Sequence, residues 1–365
     1  MYIWERPQWP DFRWDDAALS SLLAATSRKQ GLLLGKMQGL GFELQRNAQL
    51  ENLAEDVIKS SEIEGETLDR DSVRSSVARR LGMPEGALGP TDRKTEAVVE
   101  MMLDATQNFA APLTDKRLWG WQAALFPTGF SGIRPVQTGM WRTDAEGPMQ
   151  VLSGPIGKER VHYQAPPANR IEAEMQRFLN WFELEPAPDS LLRAGLAHFW
   201  FVTIHPFEDG NGRIARAIAD QALARLEGSP QRFYSMSSQI RKDRSAYYDI
   251  LENTQKGSLD ITAWLKWFLE CLSRALDGAE EISAGVLKKA GFWRKHADES
   301  FSARQKVVLN RYLDGFEGKL TTKKWSKIGK CSLPTAQRDI NDLIERGVLK
   351  KNAGGSKNTS YDVVV

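Results

Sequence analysis

Two helical runs meet at HPFEDGNGRIAR, His205 to Arg216, a stretch that cannot itself be one continuous helix. Proline has no N–H to donate and its ring clashes with the preceding turn, so Pro206 ends the incoming run SLLRAGLAHFWFVTI at His205. Asp209-Gly210-Asn211-Gly212 then reads as a tight loop, and RIARAIADQALARL restarts a helix at once. A glycine-rich loop feeding a helix N-terminus turns several unpaired backbone N–H groups into one concavity, which suits an anion. Arg213 and Arg216, three apart on the first turn, share a face and can reach the same polyphosphate. Asp209 stands before the loop as a carboxylate suited to a hard cation such as Mg²⁺, which takes carboxylate and phosphate oxygens together. His205 sits at the other rim, where an imidazole of ordinary pKa near 6.5 suits a general base at neutral pH.

The rest of the chain predicts a mainly α protein. Apolar residues recur at three- and four-residue spacing from Asp16 to about Glu66, and Gly65 is a natural helix stop. Before this lies an aromatic arm whose Trp4, Trp9 and Trp14 are expected to dock on a neighbouring surface. GMPEGALGPTD breaks the chain near position 90, and further helices cover KTEAVVEMMLDATQNF, RIEAEMQRFLNWFEL, SAYYDILENTQ and DITAWLKWFLECLSRAL. Between Gly139 and Pro167, two β-favouring runs flank GPIG, predicting a hairpin with a glycine turn. From Ser302 onward, three helical runs and a β-ribbon with a polar tip predict a winged helix. That segment holds 13 Lys/Arg against 6 Asp/Glu, so a net charge of +2 conceals about +7 there and −5 over the remainder. The expected division is 1–94, an arm and helical region; 95–275, a catalytic core; 276–301, a linker helix; and 302–365, the winged helix.

Several classes are set aside on the same grounds. Cys271 and Cys331 lie 60 positions apart with no Cys/His cluster, which argues against a disulfide framework or a zinc site. No apolar run is long enough to span a bilayer and no secretory leader is visible, so a cytoplasmic location without membrane partners is expected.

HPFEDGNGRIAR resembles the signature of the Fic family, HPFx[D/E]GNGRxxR, and the resemblance extends over about residues 95 to 275. It implies a Fic-type helical bundle with a short β-hairpin flap that moves AMP from ATP to a protein hydroxyl with Mg²⁺. Carried over residue by residue, His205 deprotonates the incoming Ser, Thr or Tyr hydroxyl, and Asp209 binds Mg²⁺. Gly210, Asn211 and Gly212 bind phosphates, Arg213 and Arg216 hold the β- and γ-phosphates, and Phe207 anchors the loop in the core. Glu208 occupies the variable position as a solvated charge. Hairpin residues Val151 to Tyr163 stand where the family has its flap, whose edge pairs with an extended target segment. Tyr247 and Tyr248 are expected in the adenine pocket, although two aromatics on a buried helix face read equally well as core, and Gln255 stands where some relatives carry Asn.

SSEIEGE places Ser60 and Glu64 at i and i+4 with Gly65 following, which resembles the family's inhibitory motif [S/T]xxxE[G/N]. A carboxylate there would occupy Arg216, the clamp meant for γ-phosphate. Three carboxylates in five residues, Glu62, Glu64 and Glu66, also fit a solvated helix end. The resemblance thus implies a protein adenylyltransferase restrained by Glu64. Two alternatives stay open: removal of AMP from a modified protein, and a DNA-binding regulator whose core senses nucleotide. For the last, Thr335, Gln337, Arg338 and Asn341 of the third C-terminal helix face bases or phosphates, with KKNAGGSKN as the wing; winged helices also serve as protein-interaction modules. A homodimer is compatible with all three.

Overall fold

The computed structural model describes the chain except residues 84–90, 146, 156, 185–189, 315–317, 353–358 and 365. The break at GMPEGALGPTD and the tip of the C-terminal ribbon therefore fall largely outside the described residues. The described chain is mostly helical, with three two-stranded antiparallel sheets. It forms two compact units, residues 1–41 with 49–279, and residues 42–48 with 280–365. Among the described residues no helix is long and apolar enough to cross a membrane.

Along the chain a 3₁₀ turn, Ile3–Glu5, is followed by α1 (Asp16–Gln38), α2 (Phe42–Ile63), α3 (Arg70–Arg80), α4 (Arg93–Gln107) and α5 (Asp115–Leu125). Two hairpins come next, β1 (Phe130–Ser131) with β2 (Arg134–Pro135), and β3 (Gln150–Ser153) with β4 (Arg160–Gln164). Then follow α6 (Ala168–Leu184), α7 (Ser190–Ile204), α8 (Asn211–Glu227), α9 (Met236–Lys242), α10 (Arg244–Gln255) and α11 (Thr262–Lys295). Side-chain oxygens of Asp15, Asp69, Asp92, Thr114 and Ser235 accept first-turn N–H groups and start α1, α3, α4, α5 and α9. Each such cap contributes about 1 kcal/mol.

The core is built around α7 and α8. Ala215, Ala217, Ala219, Ala222 and Ala224 are all buried on α8, so neighbouring backbones approach it closely. Gly195 does the same for α7: a Cβ there would lie 3.0 Å from the Phe268 ring, and Trp264 Nε1 donates to the Gly195 carbonyl at 2.8 Å. The aromatic arm docks through polar as well as apolar contacts. Trp4 Nε1 donates to the Gln164 carbonyl and Trp9 Nε1 to Glu174 Oε2, both at 2.8 Å, while Trp14 turns instead to Asp16 at the start of α1. Arg13 pairs in strand fashion with the chain just before α11.

Several elements depart from the sequence reading, which placed no helix at α5 or α9 and no hairpin at β1–β2. The helix α3 was not expected, because Ser72, Ser75 and Ser76 make up half of its buried face beside Val73, Val77 and Ala78, which leaves a faint apolar period. The segment read as a core helix followed by a separate linker helix is a single helix, α11.

In the second unit, α12 (Ala303–Leu313), α13 (Thr322–Ile328) and α14 (Leu333–Glu345) precede β5 (Leu349–Lys351) and β6 (Tyr361–Val363). Ser302, Thr321 and Ser332 cap the three helices, and Ser302 forms a reciprocal capping box with Gln305. Trp325, Ile340, Leu343 and Val348 lie at the centre of its apolar core. The order of three helices and a ribbon is the one expected from the sequence.

Candidate active site

The turn between α7 and α8 is held in a conformation that side chains alone would not favour. His205 has φ 53, the left-handed region, which few residues other than glycine adopt without support. Support comes from Arg142, a buried guanidinium that donates from Nε to the His205 carbonyl at 2.8 Å, from Nη2 to Pro166 O at 2.5 Å, and from Nη1 to Asp144 at 2.8 Å. Its backbone N–H also donates to Pro206 O at 2.9 Å. Asn211 closes the loop from inside: Oδ1 accepts the Phe207 N–H at 3.0 Å and Nδ2 donates to the Phe207 carbonyl at 2.8 Å. The Asn211 side chain is therefore committed to the loop, and only its backbone N–H is left to face an anion. Phe207 is fully buried against Trp141, the anchor expected of it. Glu208 is not a solvated charge: it is half-buried and its Oε2 accepts the Gln137 N–H at 2.9 Å, because the loop folds back over the chain after β2.

The imidazole of His205 lines a cavity of about 600 Å³. Its Nδ1 lies 3.1 Å from Val202 O; a carbonyl only accepts, so Nδ1 carries the proton and Nε2 keeps its lone pair. Burial pushes the His205 pKa down to about 4, against the upward pull of the Val202 carbonyl, so the ring is neutral at pH 7. Asp209, Gly210, Asn211 and Gly212 line the same cavity. Gly210 has φ 90 and caps α8, whose first-turn N–H groups have no partner within the helix.

Both arginines of the motif are already engaged by carboxylates. Glu64 Oε1 lies 2.8 Å from Arg216 Nη2, and Glu66 Oε2 lies 2.8 Å from Arg213 Nη1. Glu64 sits against Gly212 so closely that a Cβ at that position would collide with its Oε1, which puts a carboxylate at the N-terminus of α8. Ser60 completes the arrangement: Arg216 donates from Nε to Ser60 Oγ and from Nη2 to Ser60 O, each at 2.9 Å. Burial opposes the Arg216 charge, yet the Glu64 carboxylate together with Tyr247 and Tyr248 outweighs it and holds the arginine above its ordinary pKa. Two buried atoms, Arg216 Nη1 and Arg213 Nε, find no partner among the described residues. The cluster Glu62, Glu64 and Glu66 is thus not a solvated helix end, since Glu62 too is paired, with Lys59 and Arg241.

The end of α2 is fastened from several sides. Gly65, φ 83, turns the chain out of the helix. Arg244 Nε donates to the Ile63 carbonyl at 2.8 Å, so Arg216 and Arg244 satisfy carbonyls of the last turn, where cations are favoured. One turn earlier, Asp56 accepts from Ser235 Oγ at 2.5 Å and from the Ser237 N–H at 3.1 Å. Tyr247 and Tyr248 line the cavity, but the Tyr247 hydroxyl is bonded to His198 Nε2 at 2.8 Å, and Gln255 is buried with its amide on Thr203. The sequence singled out His205, Asp209, Arg213, Arg216 and Glu64, which the structure brings around one loop. It passed over Arg142, Arg244 and the pairing of Glu66, whose contacts join segments far apart in the chain.

Asp209 bears on the expected metal. Its Oδ1 takes the Gly210 N–H at 2.6 Å, and 40% of its side chain is exposed. No three acidic, histidine or cysteine side chains gather into a cage among the described residues. One carboxylate beside a helix start with N–H groups free of partners within the helix fits Mg²⁺, which would draw its other ligands from phosphate oxygens and water.

Residues 112–223 match the model described as the Fic/DOC family, and residues 2–83 match one described only as a domain of unknown function, DUF4172. The chain is 35% identical over 123 residues to a protein adenylyltransferase Fic of Nematostella vectensis, covering 32% of this chain and 26% of that one. It is 34% identical over 105 residues to the protein of that name from Drosophila virilis, covering 28% and 20%. The chain thus spans about a quarter or less of the length of these curated relatives. In fold it is similar to a Fic family protein from Desulfovibrio desulfuricans G20, with TM-score 0.54, 20% identity and coverage of 95% and 96%. A Fic domain containing signaling protein from Bacteroides thetaiotaomicron VPI-5482 follows, with TM-score 0.52, 22% identity and coverage of 72% and 98%.

Proposed function

We propose that this chain, which carries a Fic/DOC family domain, transfers AMP from ATP to a hydroxyl side chain of a protein target and is restrained by its own Glu64. The observation that carries the reading is the Glu64 carboxylate, 2.8 Å from Arg216 and seated on Gly212, in the cavity that also holds the neutral His205. An anion already occupies the place where an anion would be expected, and it is the chain's own.

In the released state His205 Nε2 takes the proton of the incoming hydroxyl, which attacks the α-phosphorus as pyrophosphate leaves. General-base assistance of this kind contributes about 10²–10⁴ in rate. The N–H groups at the start of α8 and the Arg213 and Arg216 guanidiniums hold the phosphates, with Arg216 Nη1 and Arg213 Nε as donors awaiting acceptors. Bound at Asp209, Mg²⁺ would neutralise phosphate charge. Tyr248, Tyr247 and Gln255 form the far wall, where the adenine is expected. With Glu64 in place, Arg216 cannot receive a γ-phosphate, and ATP is held in an unproductive pose.

The test is the Glu64→Gly chain incubated with α-labelled ATP and cell lysate, beside the parent and a His205→Ala, Glu64→Gly double variant. Labelling of lysate proteins should rise strongly in the single variant and vanish in the double, which should still bind ATP by calorimetry. An unchanged rate in Glu64→Gly removes the inhibitory role. If that variant instead fails to release AMP from a labelled target that the parent strips, the chain is a hydrolase in which Glu64 orients water.

A second reading concerns the C-terminal unit. Asp339 is paired with Arg304 at 2.6 Å, and Asp342 accepts from Gln305 and Arg346. Two of the acidic side chains on α14 are therefore neutralised within the unit, while Arg338, Asn341, Lys327 and Lys330 are exposed. That supports a winged helix that binds DNA, through phosphates first.

A further inference from the structure

The hairpin β3–β4 carries a constellation that the transfer chemistry does not use. Ser153 Oγ, at the end of β3, lies 2.5 Å from His162 Nε2 on β4. His162 Nδ1 lies 2.5 Å from Glu252 Oε2 on α10. Arg160, from Nη2, and Lys256, from Nζ, reach the other oxygen, Glu252 Oε1, at 2.8 and 2.6 Å. Burial works against the Glu252 charge, but hydrogen bonds from Lys256, His162 and Arg160 outweigh it and hold its pKa down to about 2. An ionised carboxylate only accepts, so Nδ1 of His162 carries the proton and Nε2 is left to accept from the Ser153 hydroxyl. A hydroxyl, an imidazole and a carboxylate in this order form the arrangement that makes a serine nucleophilic on unrelated folds. Ser153 is exposed, and all three residues line the cavity that holds His205 and the start of α8.

We infer that Ser153 is an acceptor within the chain itself, a modification site that takes the nucleotidyl group of a nucleoside triphosphate bound in this cavity, with His162 as its base and Glu252 positioning the imidazole. In that step Ser153 Oγ forms a bond to the α-phosphorus and the bond from that phosphorus to the bridging oxygen of the β-phosphate breaks. Pyrophosphate leaves with the electron pair, and the serine proton passes to His162 Nε2, where Glu252 stabilises the imidazolium. The product is a phosphodiester on the hairpin, beside the exposed Leu152 and Val161. A bulky anion there would obstruct the strand edge on which an extended target would pair, so the modification also limits the chain's access to other proteins. This inference rests on the AMP transfer proposed above.

The full-length Glu64→Gly chain is incubated with ATP labelled at the α-phosphate, digested, and its labelled peptides are identified by mass spectrometry. Label is expected on Ser153, absent from a Ser153→Ala chain and retained in Ser153→Thr. His162→Gln should slow labelling at Ser153 by about 10²–10⁴, with ATP affinity by calorimetry unchanged. Label on other residues with Ser153 bare overturns the inference and leaves AMP transfer standing. Labelling of Ser153 at the parent rate in His162→Gln overturns the base and, with it, the reading of the constellation. A chain that binds ATP yet labels nothing, itself or lysate, overturns the transfer reading and this inference together.

Discussion

Glu66 stands two residues beyond Glu64, and the difference between them is a matter of which arginine each reaches. Glu64 reaches Arg216; Glu66 reaches Arg213 and also Lys94, at 3.3 Å. In the transfer proposed above both arginines turn to phosphate, so Glu66 would compete for the second of them. Its side chain is 21% exposed, which allows it to swing away at modest cost, whereas Arg213 is buried and cannot follow. Glu66→Gln should therefore raise transfer by a few-fold in the Glu64→Gly background and little in the parent, where Arg216 remains occupied. The two changes act on one polyphosphate site, so the four rates should be non-additive. A Glu66→Gln effect of equal size in both backgrounds would separate Arg213 from the restraint. His205 supplies a second prediction at this scale. Its pKa is lowered to about 4, so the neutral, basic form persists above that value and is lost as pH falls through it. The kcat/KM of the Glu64→Gly chain should stay flat from neutrality to about pH 5 and drop below, with no inflection near the ordinary value of 6.5. The same shift bears on stability. The unfolded chain binds this proton first, so its contribution to folding declines from about pH 6.5 down to about pH 4. An inflection near 6.5 in the rate profile would mean that the imidazole opens to water in the working state.

The loop between α7 and α8 shows what the sequence makes legible at the scale of elements. Pro206 and Gly210 fix where the helices stop and start through backbone rules that act locally, so the end of α7 was readable to within a residue and the start of α8 to within two, at Asn211 rather than Arg213. Gly65 did the same for the end of α2. Arg142 was not readable, because its three acceptors, Asp144, Pro166 and His205, come together only when the hairpin segment packs against the loop. The helix α3 was missed because half of its buried face is polar, made of Ser72, Ser75 and Ser76. Glu208 was misread for a related reason: its partner is a backbone N–H 71 residues away. Arg142 lets this be tested. Lysine keeps the charge but cannot span three acceptors in a planar fork. Arg142→Lys should leave buried carbonyls short of donors, at a cost of about 1–3 kcal/mol each, and free His205 from its left-handed backbone. In the Glu64→Gly background the expected result is a kcat lowered by at least about tenfold with KM for ATP nearly unchanged, since the phosphate donors on α8 are untouched. Equal losses in both constants would place Arg142 in nucleotide binding instead.

At the scale of the whole chain, chemistry and charge are kept in different compact units. The cavity with His205, Glu64 and the start of α8 lies within the unit of residues 1–41 and 49–279, and the basic excess lies in the other. The Fic/DOC match likewise stops at residue 223. Each unit has its own apolar core, around α7 and α8 in one and around Trp325 and Ile340 in the other. Separate cores permit separate functions, and the exposed cations Lys323, Lys327, Lys330 and Arg338 offer a way to ask whether the functions are in fact separate. Neutralising all four to Gln removes four charges from the surface of the second unit and leaves Trp325, Ile340 and Leu343 packed as before. If this surface reads phosphates, duplex DNA affinity should fall and the slope of log K against log salt should shrink by roughly 0.9 for each lost phosphate contact. Transfer by the Glu64→Gly form of the same chain, measured as self-labelling in the absence of DNA, should stay within about twofold, because none of the four cations lines the cavity. DNA affinity and salt slope both unchanged would leave this helix face without a phosphate partner and favour a protein-interaction role. A fall in self-labelling, with melting temperature preserved, would show instead that charge on one unit governs the reaction in the other.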